Sequence, residues 1–400
     1  MENFLNSVKV RWWLFMVARK RKNEQYAEAL EILHKVIAAQ PQRALAFLQA
    51  GYCLAKLHRH EEALHSCERA LQIAPNYGDA HAYIGLVHHD LGHSREALAS
   101  LNRAFRMKPS LKDDPYWLYL LGLTSGNAEQ WEQSLAAFTK LTESNGSNGD
   151  AWHGLGWALT HLNRDSEALA PLKRAIQLEP QNAAARRELG DSYFKLQRFN
   201  EAVEQFQEYI TLKPNDPAGH HSLGMTYCEL REFGLAVELF KQALSLGPEF
   251  AEVYFTLGQV YAQLGQKEKA AAAVRDALRL DPNDPDFHLL LGWALQEPET
   301  LPEAVAAYQK SLELRPGQLQ ALAYLADAYF DSGRPDEARE ILTHATAASS
   351  NDPKLHRTLA ELYLKMGMRE EARREHEVLG QLDPALAATF AKLLNGPPKS

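Results

Sequence analysis

Apolar residues along this chain fall three or four positions apart, which is the spacing of helices that pack on one side. The stretch 217–250 shows two such groups in succession. The first group is Leu223, Tyr227 and Leu230, and the second is Ala236, Leu239, Phe240 and Ala243. Pro248 follows, and proline cannot continue a helix beyond its first turn. The pattern predicts two helices joined by a short turn, and no stretch shows strand signals.

The same pattern returns at a constant interval along the chain. Six glycines mark it, at positions 122, 156, 190, 224, 258 and 292. Twelve residues after each glycine stands a small residue, namely Ser134, Ala168, Ala202, Ala236, Ala270 and Ala304. Twelve residues further on, five of the six units have a proline, namely Pro180, Pro214, Pro248, Pro282 and Pro316. Three series locked at one spacing indicate a tandem array of helical hairpins.

Each predicted hairpin depends on its neighbours. Small residues such as Gly224 and Ala236 let its two antiparallel helices approach closely at one crossing point. The apolar face that remains is buried only when the next hairpin stacks on it. We therefore expect a solenoid, for which a count of globular domains has no meaning.

The repeated positions resemble the tetratricopeptide repeat, in which an aromatic, Leu, Gly, Ala and Pro stand at fixed places in each unit. Residues 149–182 match it with Trp152, Leu155, Gly156, Ala168, Ala175 and Pro180. Residues 251–284 match it with Tyr254, Leu257, Gly258, Tyr261, Ala270, Ala277 and Pro282. The resemblance implies an all-α, right-handed superhelical α-solenoid of antiparallel helix hairpins with a C-terminal capping helix.

Extending this register predicts eleven repeats over 1–384, followed by a capping helix and tail over 385–400. The repeats begin near 10, 44, 78, 115, 149, 183, 217, 251, 285, 319 and 353. A three-residue insertion near Ser110–Asp114 and the loose sequence SNGSNGD predict a bend within 110–148.

Composition limits the function classes. The chain has 400 residues and a net charge of −8, so it lacks the basic balance of a generic nucleic-acid binder. Its three cysteines, Cys53, Cys67 and Cys228, are too few for a disulfide framework. No enzyme motif is present, and the sixteen histidines have no metal-site spacing. We expect no catalytic residue, metal or cofactor.

The first helix of the first repeat carries a second apolar stripe. Core positions are taken by Trp13, Met16 and Val17. A different face of the same helix carries other apolar residues, and together with the basic residues that follow it forms a predicted N-terminal interaction patch. This patch is Leu5, Val8, Trp12, Phe15, Arg19, Lys20, Arg21 and Lys22. Three interpretations stay open: residues 1–9 fold back over it, it joins copies or partner proteins in an oligomer, or it binds an acidic membrane surface.

By resemblance, partners bind the concave face, which is lined by the first helix of each hairpin. The predicted groove residues are Tyr52, Tyr116, Tyr119, His153, Trp157, Arg187, Phe194, Met225, Phe255, Gln259, Trp293 and Phe330. No repeat has the Lys and Asn of the carboxylate clamp that some family members use, nor their asparagine ladder. This mostly apolar, mildly acidic groove suits an amphipathic helix or an extended peptide. Trp157 and Trp293 are the leading anchors, unless the aromatics only pack within the groove wall.

We therefore predict a non-enzymatic scaffold or adaptor that binds a protein or peptide client. The alternative is a membrane-peripheral assembly factor that docks through its first helix. No stretch approaches the roughly 18–20 apolar residues of a membrane span, and no cleavable signal is recognisable. We expect a cytoplasmic protein, in its alternative role membrane-associated, and the short regular repeats favour a bacterial source.

Overall fold

The structure, a computed structural model, describes residues 2–247, 250–347 and 351–394. Side chains are described except at 2–8, 344–347 and 392–393, so Leu5 and Val8 lie outside the described side chains. Pro248, one of the predicted helix-ending prolines, also lies outside the described residues.

Twenty-three α-helices follow one another in the described residues, with one short 3-10 helix at Pro109–Asp113 and no strand. They are α1 Glu2–Lys22, α2 Tyr26–Ala39, α3 Ala44–Lys56, α4 His60–Ile73, α5 Gly78–Asp90, α6 Ser94–Met107, α7 Pro115–Asn127, α8 Trp131–Ser144, α9 Gly149–His161, α10 Asp165–Leu178, α11 Ala183–Lys195, α12 Phe199–Leu212, α13 Pro217–Glu229, α14 Phe233–Leu246, α15 Ala251–Gln263, α16 Lys267–Leu280, α17 Pro285–Ala294, α18 Leu301–Leu314, α19 Leu319–Asp331, α20 Pro335–Ala347, α21 Pro353–Lys365, α22 Arg369–Leu382 and α23 Pro384–Leu394.

The helices pair as hairpins, α1 with α2 through α21 with α22, and α23 packs on α22. The first helices of ten hairpins begin at the residues where the repeat register places them. The predicted all-α fold of eleven tandem hairpins is thereby confirmed. The first hairpin differs, because α1 already begins at Glu2 and not near residue 10.

Four first helices begin at a proline that follows an aspartate. The Asp side chain stands before the helix and accepts a hydrogen bond from a backbone N–H of the first turn, which caps the helix. The four are Asp114, Asp216, Asp284 and Asp352. The acidic run 281–286 therefore contains a helix cap, with Asp284 accepting from the N–H of Asp286 at 2.8 Å.

In the hairpins that have it, the periodic glycine faces the side chain sixteen residues later. A Cβ added at Gly224 would lie 2.8 Å from the Phe240 ring, and this ring is fully buried. Because glycine has no side chain, Gly224 leaves space for the Phe240 ring between the two helices. Gly292 leaves the same space for the Tyr308 ring. Ser134 stands where the other units have alanine. Its buried hydroxyl has a hydrogen-bond partner, because it donates to the carbonyl of Gly122 at 2.8 Å.

Two compact units make up the chain, unit 1 over Met1–Leu212 and unit 2 over Lys213–Ser400. The inserted residues near 110 form the 3-10 helix, which buries Leu111. The boundary between the two units, at residue 212, lies outside the segment 110–148. The bend expected within 110–148 stays a prediction. None of the described helices is both long enough and apolar enough to cross a bilayer.

Candidate functional site

Unit 2 contains a groove of about 840 Å³, which we call the unit 2 groove. The first helices of four successive hairpins, α13, α15, α17 and α19, supply nearly all of its lining. The lining residues are Met225, Cys228, Glu229, Phe233, Phe255, Thr256, Gln259, Val260, Ala262, Gln263, Asp286, Leu289, Leu290, Trp293, Gln320 and Tyr324. Four predicted groove residues, Met225, Phe255, Gln259 and Trp293, are among them.

The aromatic side chains of the unit 2 groove are anchored from below. Phe255 contacts the buried Phe287 ring at 4.7 Å between centroids. Trp293 and Tyr324 pack on the core with one side and line the groove with the other. Anchored rings lose little side-chain entropy when a partner covers them, so this floor is preorganised for apolar contact.

Polar groups of the unit 2 groove are mainly amides and acids. Gln259 and Gln263 are exposed one helical turn apart on α15. Glu229 is exposed, while Asp286 is paired with Arg315 at 2.8 Å. Within the described part of unit 2, no lysine or arginine belongs to the lining. The local charge is therefore acidic and favours a basic group on a ligand.

Phe330, the remaining predicted groove residue in unit 2, lies outside this lining. The ammonium of Lys365 stands 5.3 Å from its ring centroid and bridges Asp327 and Asp331, each at 2.6 Å. Burial works against the charge of Lys365, but the two carboxylates outweigh it and raise its pKa. The Phe330 position is thus closed by an ion-pair cluster.

Unit 1 carries a row of aromatic rings contributed by its first four hairpins. The ring centroids of successive members are 5.0–6.0 Å apart, and every pair is edge-on. The row runs Tyr26, Tyr52, Tyr83, Trp117 and Tyr116. Tyr52 therefore packs between neighbours, and the predicted Tyr116 is exposed at the end of the row.

Trp157, one of the two leading anchors, packs within the wall of unit 1. Its ring lies edge-on to Trp131 at 4.9 Å and to His161 at 5.6 Å, and those two rings stack on each other at 4.0 Å. A Cβ at Gly126 would be 2.2 Å from the same indole. These contacts favour a wall residue over a free anchor. Tyr119 likewise lies edge-on to Phe138 at 5.9 Å.

The remaining predicted residues of unit 1, His153, Arg187 and Phe194, have different surroundings. The Nε2 of His153 stands 3.2 Å from a carboxylate oxygen of Glu188. Burial lowers the pKa of His153, but the adjacent carboxylate of Glu188 outweighs this effect and the pKa is raised. Arg187 is exposed, and Phe194 lies edge-on to Phe199 at 5.6 Å.

One carboxyl group on α11 has a strongly shifted pKa. Burial raises the pKa of Asp191 to about 6, and this rise outweighs the nearby positive charge of Arg187. Glu188, one turn away, raises the pKa further.

The structure divides the predicted N-terminal patch between two faces of α1. Trp12 is 59% exposed and Phe15 65% exposed, on the same side as Arg19 and Lys22. Residues 2–9 continue the helix, so the interpretation that they fold back over the patch is wrong for the described residues.

The other two basic residues of the patch point toward the protein. Lys20 pairs with Glu28 at 2.6 Å, and the Arg21 guanidinium lies 4.2 Å from the Tyr52 ring centroid. Arg21 thereby joins the aromatic row of unit 1.

Among the described residues, no three His, Cys, Asp or Glu side chains converge as metal ligands would. Cys53 and Cys67 are free and buried, and Cys228 is free and half-buried. Burial raises the pKa of Cys228 to about 11, so its thiol is a poor nucleophile near neutral pH.

Two family models match the chain. A tetratricopeptide repeat model matches residues 19–78 and 119–183. A second, described as the C-terminal domain of cilia and flagella-associated protein 70, matches residues 180–383, just over half of the chain. The chain belongs to the tetratricopeptide repeat family. Its hairpins are tetratricopeptide repeats, and the resemblance expected from the sequence is confirmed.

Several solved structures are similar to this chain at low identity. MamA is 25% identical, with 42% of this chain and 91% of that one covered and a TM-score of 0.40. YrrB, described as a tetratricopeptide repeat protein with an unusual peptide-binding site, is 23% identical, with 46% and 96% covered and a TM-score of 0.42. Yeast Tom70 is 15% identical, with 96% and 95% covered and a TM-score of 0.44. A comparison with curated proteins gave no match.

Sequence reasoning missed several residues that line the unit 2 groove. Cys228 and Gln263 lie three and four residues after the predicted Met225 and Gln259, on the same helix faces. That helical spacing was a usable signal. Phe233 had none, because it begins a second helix and enters the groove from the hairpin turn.

Proposed function

We propose that this protein is a non-enzymatic scaffold that binds a peptide segment or helix of a client protein in the unit 2 groove. The observation that carries the proposal is the floor of anchored apolar side chains there, with Phe255, Trp293 and Tyr324 open on one side. A cavity of about 840 Å³ is large enough to take several side chains of a partner.

The chemistry of the lining limits the kinds of ligand that fit the groove. Apolar side chains of the ligand would fill the spaces between the aromatic rings. The exposed amides of Gln259 and Gln263 can both donate and accept hydrogen bonds. The exposed carboxylate of Glu229 favours a lysine or arginine beside the anchors. We therefore expect a ligand with two or more large apolar residues and a nearby basic one.

The test uses a phage-displayed random dodecapeptide library selected on the full chain. An enriched peptide is synthesised with a fluorescein label, and its affinity is measured by fluorescence anisotropy. Trp293→Ala is expected to weaken binding by about thirtyfold, as for a central aromatic hot spot. The matched control is Leu235→Ala, which removes a half-exposed side chain of α14 outside the groove.

A selection that enriches no peptide contradicts the proposal, as does an enriched peptide that binds the Trp293→Ala protein as tightly as the parent. Glu229→Gln tests the basic preference separately. It is expected to weaken a peptide that carries a lysine or arginine and to reduce the salt dependence of its binding.

A further inference from the structure

The outer face of α1 combines exposed aromatic and basic side chains. Trp12 and Phe15 are the most exposed large hydrophobic residues among those with described side chains. Arg19 and Lys22 continue the same face over the next two turns, and Arg11 lies at its border. From the first to the last of these residues the face runs about 16 Å along the helix.

The opposite face of α1 is fully used by the fold. Val10 and Val17 are buried in the core of the first hairpins. Lys20 and Arg21 are held by Glu28 and by the Tyr52 ring. Within the described residues, by contrast, the structure joins neither Arg19 nor Lys22 to a carboxylate. Of the four consecutive basic residues, Lys20 and Arg21 contact the rest of the protein, and Arg19 and Lys22 face outward.

We propose that this outer face docks the protein on an anionic lipid bilayer. Trp12 and Phe15 enter the boundary between headgroups and acyl chains, where interfacial helices bury their aromatic side chains. Arg19 and Lys22 lie one to two turns further along and contact lipid phosphates. This surface is separate from the unit 2 groove, and its function does not depend on peptide binding there.

Charge distinguishes a lipid surface from a second copy of the chain. Residues 1–22 contain six basic residues and one acidic residue, Glu2. Two copies meeting through this face would place basic groups together with little acid to neutralise them, which opposes association. An anionic bilayer supplies the missing charge. The net charge of −8 on the whole chain gives the protein no general attraction to such a surface, so the attraction has to come from a local basic face.

The size of the expected effect follows from general values. A basic residue near an anionic bilayer contributes about fivefold in partitioning, so losing Arg19 and Lys22 together weakens binding about 25-fold. Removing the two aromatic side chains has a comparable effect through lost apolar burial. Salt screens the basic contribution and leaves the apolar one.

The experiment is co-sedimentation of the full-length chain with vesicles of phosphatidylcholine and phosphatidylserine in a ratio of about seven to three, and with pure phosphatidylcholine vesicles. We expect binding to the anionic vesicles, a marked loss in Trp12→Ala/Phe15→Ala, and about 25-fold weaker partitioning in Arg19→Gln/Lys22→Gln. The control Arg103→Gln/Arg106→Gln removes two exposed charges from α6 and is expected to bind like the parent. Circular dichroism checks the fold of each variant.

Three results would overturn the proposal. The first is absence of the parent protein from the vesicle pellet, and the second is equal binding by the parent and both α1 variants. The third is a concentration-dependent dimer in sedimentation velocity that Trp12→Ala/Phe15→Ala abolishes, which would assign the face to a second copy. Peptide binding in the unit 2 groove is expected to survive in every α1 variant, so failure of one proposal leaves the other standing.

Discussion

Replacing Asp191 with asparagine is expected to make the protein more stable at pH 8 and to leave its stability unchanged at pH 4. Burial raises the pKa of this carboxyl to about 6 in the folded chain, against about 3.9 in an unfolded one. A raised carboxyl pKa means that the folded state holds the proton more tightly. Its stabilising contribution is complete below about pH 3.9 and is lost as the pH rises through about 6.

The magnitude of the stability change follows from the pKa shift. About two pKa units correspond to at most about 3 kcal/mol, and the partial contact of Asp191 with solvent reduces the value. We expect Asp191→Asn to add about 1–3 kcal/mol to the free energy of unfolding at pH 8. Urea unfolding followed by circular dichroism at both pH values measures it, with Asp90→Asn as the exposed control on α5.

A variant that is less stable than the parent at pH 8 would refute this reasoning, because the ionised carboxylate would then be stabilised by its basic neighbours rather than penalised by burial. A stability difference that does not change between pH 4 and pH 8 would refute it too. The pKa of Asp191 can also be read directly from the carboxyl ¹³C shift, with about 6 expected.

Three further predictions concern packing and thiol access. Phe240→Ala is expected to cost about 3–5 kcal/mol, against less than about 0.5 kcal/mol for the exposed Leu235→Ala, measured by urea unfolding. Gly224→Ala is expected to lower the free energy of unfolding by about 1–3 kcal/mol in the parent, because the added methyl group meets the Phe240 ring. The loss is expected to be smaller in the Phe240→Ala background, and additive losses would contradict this reasoning. With maleimide at pH 8.5, Cys228 is expected to react slowly and to be the only one of the three cysteines that reacts. A peptide bound in the unit 2 groove is expected to protect it. Mass spectrometry identifies the labelled thiol.

The sequence predicted the hairpin register because glycine, alanine and proline each recur at one fixed interval and mark close approach, packing and helix ends. It did not predict how each hairpin turns. Ten hairpins close their first helix with a residue of positive φ, and six of these are not glycine. Residues such as Glu129 and Arg231 carry no turn signal of their own, because the packing of the two helices imposes their conformation.

The candidate groove was only partly predictable for a related reason. Trp157 and Trp293 occupy the same position of their repeats, so the register treats them alike. The structure separates them, because Trp131 and His161 pack against Trp157, whereas Trp293 lines an open cavity. His161 lies on the same helix as Trp157, but Trp131 belongs to the preceding repeat. The surroundings of the ring therefore depend in part on a neighbour that the sequence of a single repeat does not contain.

The most direct test of the central proposal is site-specific photo-crosslinking in the native host from a benzophenone amino acid at Phe255, with Leu235 as the control position. Binding in the unit 2 groove predicts one or a few discrete protein adducts from Phe255. These adducts are expected to be absent from Leu235 and to disappear with Trp293→Ala. The same adducts from both positions, or none from Phe255 in a well-folded protein, would contradict the assignment of this groove as the binding site.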